Sequence, residues 1–147
     1  LVEGVVPRDG MVYVPQTRLA GVLEKHKAGD ADFDVPAPVR EAIKAQEAAG
    51  KGPWVDPKLG DVPVNTLASV DITGGNSGSA VMNGKGEFVG LMFDGTWESI
   101  TSDLAFDPAS TRSIFVDVRY LLWSLQNVAK ATNLLEELGV KAGAAGN

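Results

Sequence analysis

Short apolar stretches rich in β-forming residues, separated by turn residues, recur along the chain and predict strands. The first of them, VEGVVPRDGMVYV, predicts a hairpin whose turn comprises residues 7–10. In the second half, VNTLASVDI, SAVM, EFVGLMF and RSIFVDV predict four more strands. Asn83-Gly84-Lys85-Gly86 should join SAVM to EFVGLMF as a hairpin turn, because Asn and Gly tolerate a positive φ.

Three other segments have the periodicity of helices. TRLAGVLEKHK has apolar residues at helical spacing behind Thr17, a candidate N-cap, and PVREAIKAQEAAG predicts a short helix ended by Gly50. VRYLLWSLQNVAKATNLLEEL predicts one long helix that packs on the core and ends at Gly139. The apolar face of that helix would comprise Val118, Leu121, Leu122, Leu125, Val128, Ala129 and Leu135.

The remaining segments read as loops around a single domain. Residues 28–38 are acidic and contain proline, which favours a surface loop, and residues 50–62 have too many helix and strand breakers for regular structure. The small-residue tail 139–147 is expected to be flexible. The chain opens LVEGVV, without a methionine or a basic leader, so we expect a segment of a longer precursor.

Composition narrows the classes of function. The 147 residues are 44% hydrophobic and 22% charged, as in an ordinary globular domain. A net charge of −6 argues against a nucleic-acid partner, which a basic face would bind. The absence of cysteine excludes disulfides, and the single histidine, His26, has no carboxylates at metal-ligand spacing, so neither metal nor cofactor is expected. No apolar run approaches the roughly 18 residues of a membrane span.

The glycine-rich stretch ITGGNSGSAV, residues 72–81, carries the strongest chemical signal. It matches neither a phosphate-binding P-loop nor the G-x-S-x-G elbow, which lies between a strand and a helix. A Gly-x-Ser-Gly loop between strands is typical of the nucleophile of chymotrypsin-like peptidases. Gly75 and Ser77 would then aim two N–H groups at one oxyanion, which requires tightly coiled backbone. The alternative is a structural turn.

Two further residues leave alternatives open. Asp71 lies six residues before Ser77, where trypsin-like enzymes place the acid that selects Lys or Arg, so a Lys/Arg-directed endopeptidase is a second hypothesis. His26, between two lysines of a helical segment, is expected to be a solvated surface residue rather than the base for Ser77. Of the tryptophans, Trp123 is expected in the core, and Trp97 is a candidate for the edge of a pocket.

Longer motifs resemble one family. DGMVYVP, GDVPVNTLASVDITGGNSGS, the segment DITGGNSGSAVMNGKGEFVGLMFDGTWESI and RSIFVDVRYLLW together resemble the C-terminal end of bacterial dipeptidyl aminopeptidases of the dipeptidyl-peptidase 7 and 11 type. One departure is Ala80, where that family usually has proline. The resemblance implies a mainly β fold with helices: the second β-barrel of a chymotrypsin-like double-barrel serine peptidase, with a C-terminal helix.

The resemblance also implies an activity and its residues. Such enzymes are periplasmic or secreted, usually homodimeric, and remove dipeptides from the N-terminus of peptides. Ser77 matches the nucleophile and Gly75 the oxyanion glycine. Asp94, with Phe93 before it, matches the position that holds the substrate's amino group. Gly95 stands where members that cut after Asp or Glu have arginine, which implies an aliphatic or aromatic preference.

The family's catalytic histidine and aspartate lie upstream of the segment that this chain resembles, and His26 does not match that histidine. The chain is therefore expected to be inactive alone and to need the N-terminal part of the peptidase as its partner. Without a base, the hydroxyl of Ser77 would react very poorly. A non-catalytic β-domain that serves as an interaction module remains the alternative of a different class.

Overall fold

The computed structural model of the protein describes residues 6–8 and 11–140. Its strands are β1 (Val6–Arg8), β2 (Met11–Tyr13), β3 (Gln16–Arg18), β4 (Pro63–Ala68), β5 (Ala80–Met82), β6 (Phe88–Gly95) and β7 (Ser113–Asp117). The α-helices are α1 (Leu19–Glu24), α2 (Ala37–Ala49), α3 (Val118–Asn127) and α4 (Thr132–Glu137). A one-turn 3₁₀ helix covers Trp97–Ser99.

The chain divides into two compact units. The first comprises the residues up to Thr17 together with Asn65–Val118, and the second comprises Arg18–Val64 together with the residues from Arg119 onwards. The predicted serine loop belongs to the first unit, and His26 belongs to the second.

The strands form two sheets. β1 and β2 pair as the predicted hairpin, but its turn is shorter than expected, because Pro7 and Arg8 belong to β1 and Arg8 pairs with Met11. The turn residues 9 and 10 lie outside the described part of the chain. The larger sheet has the order β3–β4–β7–β6–β5, with antiparallel β4–β7, β7–β6 and β6–β5 pairs.

β3 and β5 are the edges of the larger sheet, so the described strands form an open sheet rather than a closed barrel. The expected combination of β-sheet and helices is confirmed at this level. The predicted turn 83–86 is also present: the Asn83 N–H donates to Glu87 O (3.0 Å), and the Gly86 N–H donates to Asn83 O (3.0 Å).

The sheet of the first unit packs around Ala68, Val81, Met92 and Phe115. Gly90 lies in β6 opposite Asp117 of β7 and is buried. A Cβ at this position would collide with the carbonyl oxygen of Val116 and the ring of Phe115. Only glycine lets β6 and β7 approach this closely while the Phe115 ring covers the strand.

The second unit has its own core, built from Leu19, Ile43, Trp54, Val62 and Trp123, all less than a tenth exposed. The expected core position of Trp123 is confirmed. Both indoles also have their N–H satisfied: Trp54 Nε1 donates to Gln126 Oε1 at 3.0 Å, and Trp123 Nε1 donates to Gln46 Oε1 at 3.3 Å.

The N-terminus of α1 differs from the prediction. Arg18, not Thr17, is the N-cap residue, and it makes no side-chain capping bond. The Thr17 hydroxyl instead accepts the Asn65 N–H at 3.0 Å. Asp61, distant in sequence, caps the helix, since its carboxylate accepts the Ala20 N–H at 3.0 Å. α2 ends as predicted at Gly50, which has φ 63°.

The single long C-terminal helix predicted from the sequence is wrong: α3 and α4 are separate. Lys130 takes φ 53°, a left-handed conformation that ends a helix. The Ala129 and Ala131 N–H groups donate to Ser124 O and Leu125 O, which closes the end of α3. α4 ends at Glu137, and Gly139, the predicted stop, follows two residues later with φ 69°. The tail from residue 141 lies outside the described residues.

No helix among the described residues is both long and apolar enough to span a bilayer. In the same part of the chain, no three His, Cys, Asp or Glu side chains come together as a metal site would need.

Candidate active site

The serine loop connects β4 to β5, so the expected strand–loop–strand setting is present. The second half of the serine loop is hydrogen-bonded to β6. The Gly78 N–H donates to Met92 O at 2.7 Å, and the Met92 N–H donates to Ser79 O at 2.9 Å. These two bonds continue the β5–β6 ladder into the loop, so the backbone around Ser77 is held by the sheet.

Inside the loop, Asn76 organises a tight turn. Its side-chain Oδ1 accepts the Thr73 N–H at 2.8 Å, and its own N–H donates to Thr73 O at 3.2 Å. Its carbonyl accepts the Ser79 N–H at 2.9 Å. Gly75 and Gly78 take φ 101° and 86° in this turn, values that side-chain-bearing residues rarely adopt.

Ser77 lies at the tip of the turn with its side chain exposed. Its hydroxyl is 3.4 Å from the carbonyl oxygen of Phe93, the bond it donates within the protein. Among the described residues, the N–H groups of Gly75 and Ser77 have no protein acceptor, whereas those of Asn76 and Gly78 are bonded. Both of these open donors are ones that the sequence assigns to an oxyanion hole.

A cavity of about 300 Å³ opens beside this serine. Its lining residues come from the serine loop, the end of β6 and the segment after it. They are Ile72, Thr73, Gly74, Gly75, Asn76, Ser77, Met92, Phe93, Asp94, Gly95, Thr96, Ser99, Ile100, Ser102 and Asp103. All five predicted site residues are in this set: Gly75, Ser77, Phe93, Asp94 and Gly95.

An irregularity in β6 brings Phe93 to the serine. The β6–β7 register shifts between Met92, which faces Phe115, and Asp94, which faces Ile114. Phe93 is the extra residue of this bulge, and its carbonyl faces the Ser77 hydroxyl. Bulges of this kind redirect side chains and often lie beside active sites.

Asp94 and Gly95 form the end of β6 at the cavity. The Asp94 carboxylate is exposed, and its Oδ1 accepts the Gly95 N–H at 2.8 Å. A Cβ at Gly95 would lie 3.4 Å from the Ser99 Cβ and 3.8 Å from the Ile72 Cδ1. The position therefore tolerates a side chain, although the protein carries none there.

The wall opposite the serine loop was not predicted from the sequence. Ser99 fixes it to the start of β7, because its hydroxyl donates to Arg112 O and accepts the Arg112 N–H, both at 2.8 Å. Ser102 and Asp103 follow on the same wall. These residues carry no motif, and only the folding of residues 96–103 over the end of β6 reveals them.

Three residues considered from the sequence are not part of the cavity lining: Asp71, Trp97 and His26. Asp71 is exposed and does not line this cavity. Trp97 is 80% exposed.

His26 is partly buried rather than fully solvated. Its side chain is only 21% exposed, and its Nδ1 accepts the Val35 N–H at 3.1 Å, within the second unit. Among the described residues, Ser77 has no histidine as a hydrogen-bond partner. The site therefore combines an exposed serine hydroxyl with open N–H donors, and no histidine of the described residues bonds to that hydroxyl.

Comparison with known proteins identifies relatives over nearly the whole chain. The sequence model of the Peptidase S46 family matches residues 1–140 of this chain. The chain is 42% identical to an Asp/Glu-specific dipeptidyl-peptidase of Shewanella putrefaciens, over 94% of this chain and 21% of that protein. It is 40% identical to a dipeptidyl-peptidase 7 of Phocaeicola vulgatus, over 95% of this chain and 19% of the relative.

A solved structure is similar as well. The crystal structure of Porphyromonas endodontalis DPP11 in complex with substrate superposes with a TM-score of 0.86 at 34% identity, covering 95% of this chain and 20% of that one. The chain thus spans roughly a fifth of the length of the relatives it matches. The family resemblance expected from the sequence is confirmed.

Proposed function

Because the chain belongs to the Peptidase S46 family, we propose that it carries the nucleophile and part of the substrate pocket of a serine-type dipeptidyl aminopeptidase. Such an enzyme releases dipeptides from the free N-terminus of peptides. The chain, residues 1–147, would be the C-terminal portion of a chymotrypsin-like peptidase domain, and its open sheet would form part of the second β-barrel.

One observation carries the proposal: the exposed Ser77 hydroxyl lies at a cavity together with two unbonded N–H groups, those of Gly75 and Ser77 itself. A purely structural turn has no need to leave these two donors open while it binds the N–H groups of Asn76 and Gly78. Preorganised donors of this kind stabilise the charge that develops on a carbonyl oxygen during acyl transfer.

The proposed reaction is acyl transfer in two steps. Ser77 Oγ forms a bond to the carbonyl carbon of the second substrate residue while a histidine takes the hydroxyl proton, and the resulting oxyanion accepts the N–H groups of Gly75 and Ser77. The C–N bond then breaks, and the leaving amine takes the proton from the histidine. Water attacks the dipeptidyl ester in the same way, which releases the dipeptide and restores the serine.

The base and its orienting aspartate are proposed to come from the rest of a longer protein. His26 has its Nδ1 occupied by Val35 and does not line the cavity. The relatives are about five times longer than the segment they share with this chain, which leaves ample sequence for both residues. The isolated chain is therefore expected to be inactive, since a serine hydroxyl without a base is a weak nucleophile.

Asp94 is proposed to bind the substrate's amino terminus. Its carboxylate is exposed at the cavity, and its only hydrogen bond among the described residues comes from the neighbouring Gly95 N–H. A charge-assisted bond to the terminal ammonium would fix the chain end at a set distance from Ser77. That distance would set the dipeptide length of the product.

The residue before the cut is proposed to be aliphatic or aromatic. The described relatives do not decide this, because they include both Asp/Glu-specific dipeptidyl-peptidases and dipeptidyl-peptidases 7. The cavity does favour it: no Lys, Arg or His is among its lining residues, and Ile72, Met92, Phe93 and Ile100 provide apolar surface. Gly95 supplies no cation to pair with an acidic side chain.

The remaining proposals follow from the family. The full-length protein is proposed to be a homodimer that works in the periplasm or outside the cell, with peptides as its substrates. Neither a nucleic acid nor a cofactor has a role in this mechanism.

The test is serine labelling and turnover in the full-length protein. A dipeptidyl phosphonate with a free amino terminus should label Ser77, and Ser77→Ala should abolish both labelling and dipeptide release. Ser79→Ala is the matched control, because Ser79 lies in the same loop but does not line the cavity; it should retain most of the activity. Full dipeptide release by Ser77→Ala would refute the assignment and favour a non-catalytic domain.

A further inference from the structure

The charged side chains that line the cavity beside Ser77 are all negative. Two carboxylates, Asp94 and Asp103, are the only titratable groups among its lining residues. Asp94 already has a role in the proposed function, whereas Asp103 has none. No sequence motif singles out Asp103, which lies in a loop of mixed polarity nine residues after Asp94.

The backbone on both sides of Asp103 is fixed by short turns. The Ser102 N–H donates to Ser99 O at 3.0 Å, and the Leu104 N–H donates to Thr101 O at 3.0 Å. Ser99 is in turn bonded twice to Arg112 through its hydroxyl. Asp103 is therefore carried by a wall attached to β7 rather than by a loose loop.

The carboxylate of Asp103 has no partner in the described part of the chain. Among the described residues, its carboxylate makes no hydrogen bond and no ion pair, and the residue is exposed at the cavity. Asp107, four residues later, contrasts with it. The Asp107 carboxylate accepts hydrogen bonds from the Ser110 hydroxyl at 2.6 Å and from the Ala109 N–H at 2.9 Å, so it stabilises the turn in which it lies.

We propose that Asp103 is a specificity-determining residue that rejects substrates with an acidic residue before the cut. This inference rests on the proposed function of the cavity. A carboxylate that lines the cavity repels a Glu or Asp side chain entering it, since like charges repel even where water weakens their interaction. Gly95 provides no positive charge to attract an acidic substrate side chain, and the negative charge of Asp103 repels it.

The test uses the full-length protein and two dipeptidyl substrates that differ only in Glu or Gln before the cut. This pair has almost the same shape, so the ratio of their kcat/KM values isolates charge. Asp103→Asn should raise the Glu/Gln ratio about three- to fivefold at low salt, the range expected for partly solvated charges. Asp103→Glu, which keeps the charge, should leave the ratio low.

Two controls separate a local effect from a general one. Asp71→Asn removes the same charge from an exposed position outside the cavity lining, and the Glu/Gln ratio should not change. At 1 M salt, where the Debye length is about 3 Å, the effect of Asp103→Asn should shrink. An unchanged ratio in Asp103→Asn, or an equal change in Asp71→Asn, overturns the proposal.

Failure of this inference differs from failure of the proposed function. If Ser77→Ala abolishes dipeptide release while Asp103→Asn leaves the ratio unchanged, only the role of Asp103 is wrong. If Ser77→Ala keeps its activity, the cavity is not the catalytic site and both proposals fall. Melting temperatures of the variants, compared with that of the parent, establish that each is folded.

Discussion

The backbone N–H of Gly78 donates a 2.7 Å hydrogen bond to the carbonyl oxygen of Met92. This bond attaches the serine loop to β6, the strand whose next three residues, Phe93, Asp94 and Gly95, line the same cavity. Ser77, the proposed nucleophile, and the residues proposed to bind substrate are therefore both positioned by β6. Sites that rest on strands in this way hold their geometry better than sites on free loops.

The conformation of Gly75 should be essential for turnover. Gly75→Ala places a Cβ on a residue with φ 101°, a region that costs an L-residue about 1–2 kcal/mol. The loop should relieve this strain by turning the Gly75 N–H away from the oxyanion, and loss of one such donor lowers kcat by about 10²–10³. Steady-state kinetics of dipeptide release by the full-length protein measure the effect.

Gly74→Ala is the control for this substitution. Gly74 also lines the cavity and has open space where a Cβ would lie, but its φ is outside the positive region. It should keep kcat within about threefold of the parent, because alanine fits its conformation without strain. Equal losses in the two variants would show that φ at Gly75 is not the cause.

Substitution of Gly95 should change the substrate preference. An arginine at this position starts from a Cβ with no contact closer than 3.4 Å and would bring a cation to a cavity that has none. Gly95→Arg should raise kcat/KM for Glu over Leu before the cut by about tenfold or more, since a charge-assisted pair contributes about 1.5–3 kcal/mol. A panel of dipeptidyl substrates measures it.

Gly84→Arg adds the same charge to the β5–β6 turn, outside the cavity lining. Its substrate preference should equal that of the parent. If Gly95→Arg also leaves the preference unchanged, Gly95 does not border the pocket for the residue before the cut.

Gly90 should be irreplaceable for stability. The Cβ of Gly90→Ala would overlap Val116 O and the Phe115 ring in the β6–β7 pair. Overpacking of this kind costs about 1–3 kcal/mol, and more where backbone must move. The urea midpoint of the protein should fall, whereas Gly84→Ala, with open space at its Cβ and no positive φ, should leave it nearly unchanged. Equal midpoints for the two variants would contradict the close approach.

Asp56 should contribute stability in a pH-dependent way. Its side chain is 20% exposed and lies 2.7 Å from Arg119 Nη1, and its Oδ1 accepts the N–H groups of Lys58 and Leu59. Burial opposes the charged form, but the bonds from Leu59, Arg119 and Lys58 outweigh it and lower the pKa of Asp56. A lowered pKa in the folded state stabilises the protein above the unfolded pKa, and this contribution disappears as the pH falls through the folded value.

Asp56→Asn should therefore lower the free energy of unfolding by about 1–3 kcal/mol at pH 7, and the difference from the parent should shrink at pH 3. Urea unfolding at the two pH values measures it. Asp32→Asn is the control, because Asp32 is exposed and its carboxylate accepts no hydrogen bond among the described residues. A loss of equal size at both pH values would show that ionised Asp56 is not responsible.

Local features of the fold were predictable because they depend on neighbouring residues. The hairpin turn at 83–86 and the end of α2 at Gly50 follow from residues that accept a positive φ. The strands β4 to β7 follow from short β-rich stretches between such turns. The Gly75-x-Ser77-Gly78 spacing likewise indicated the proposed nucleophile loop, since the conformation of a tight loop depends on glycines within the loop itself.

Features that depend on distant contacts were not predictable. The helix α1 is capped by Asp61, which is 41 residues from Ala20 in sequence, so Thr17 was the wrong candidate. The break at Lys130 has no glycine or proline to announce it. The sequence alone determined the loop that presents Ser77, but only the tertiary structure decided which walls face it. Asp103 joins the cavity because Ser99 bonds to Arg112, thirteen residues away, and no local pattern encodes such a contact.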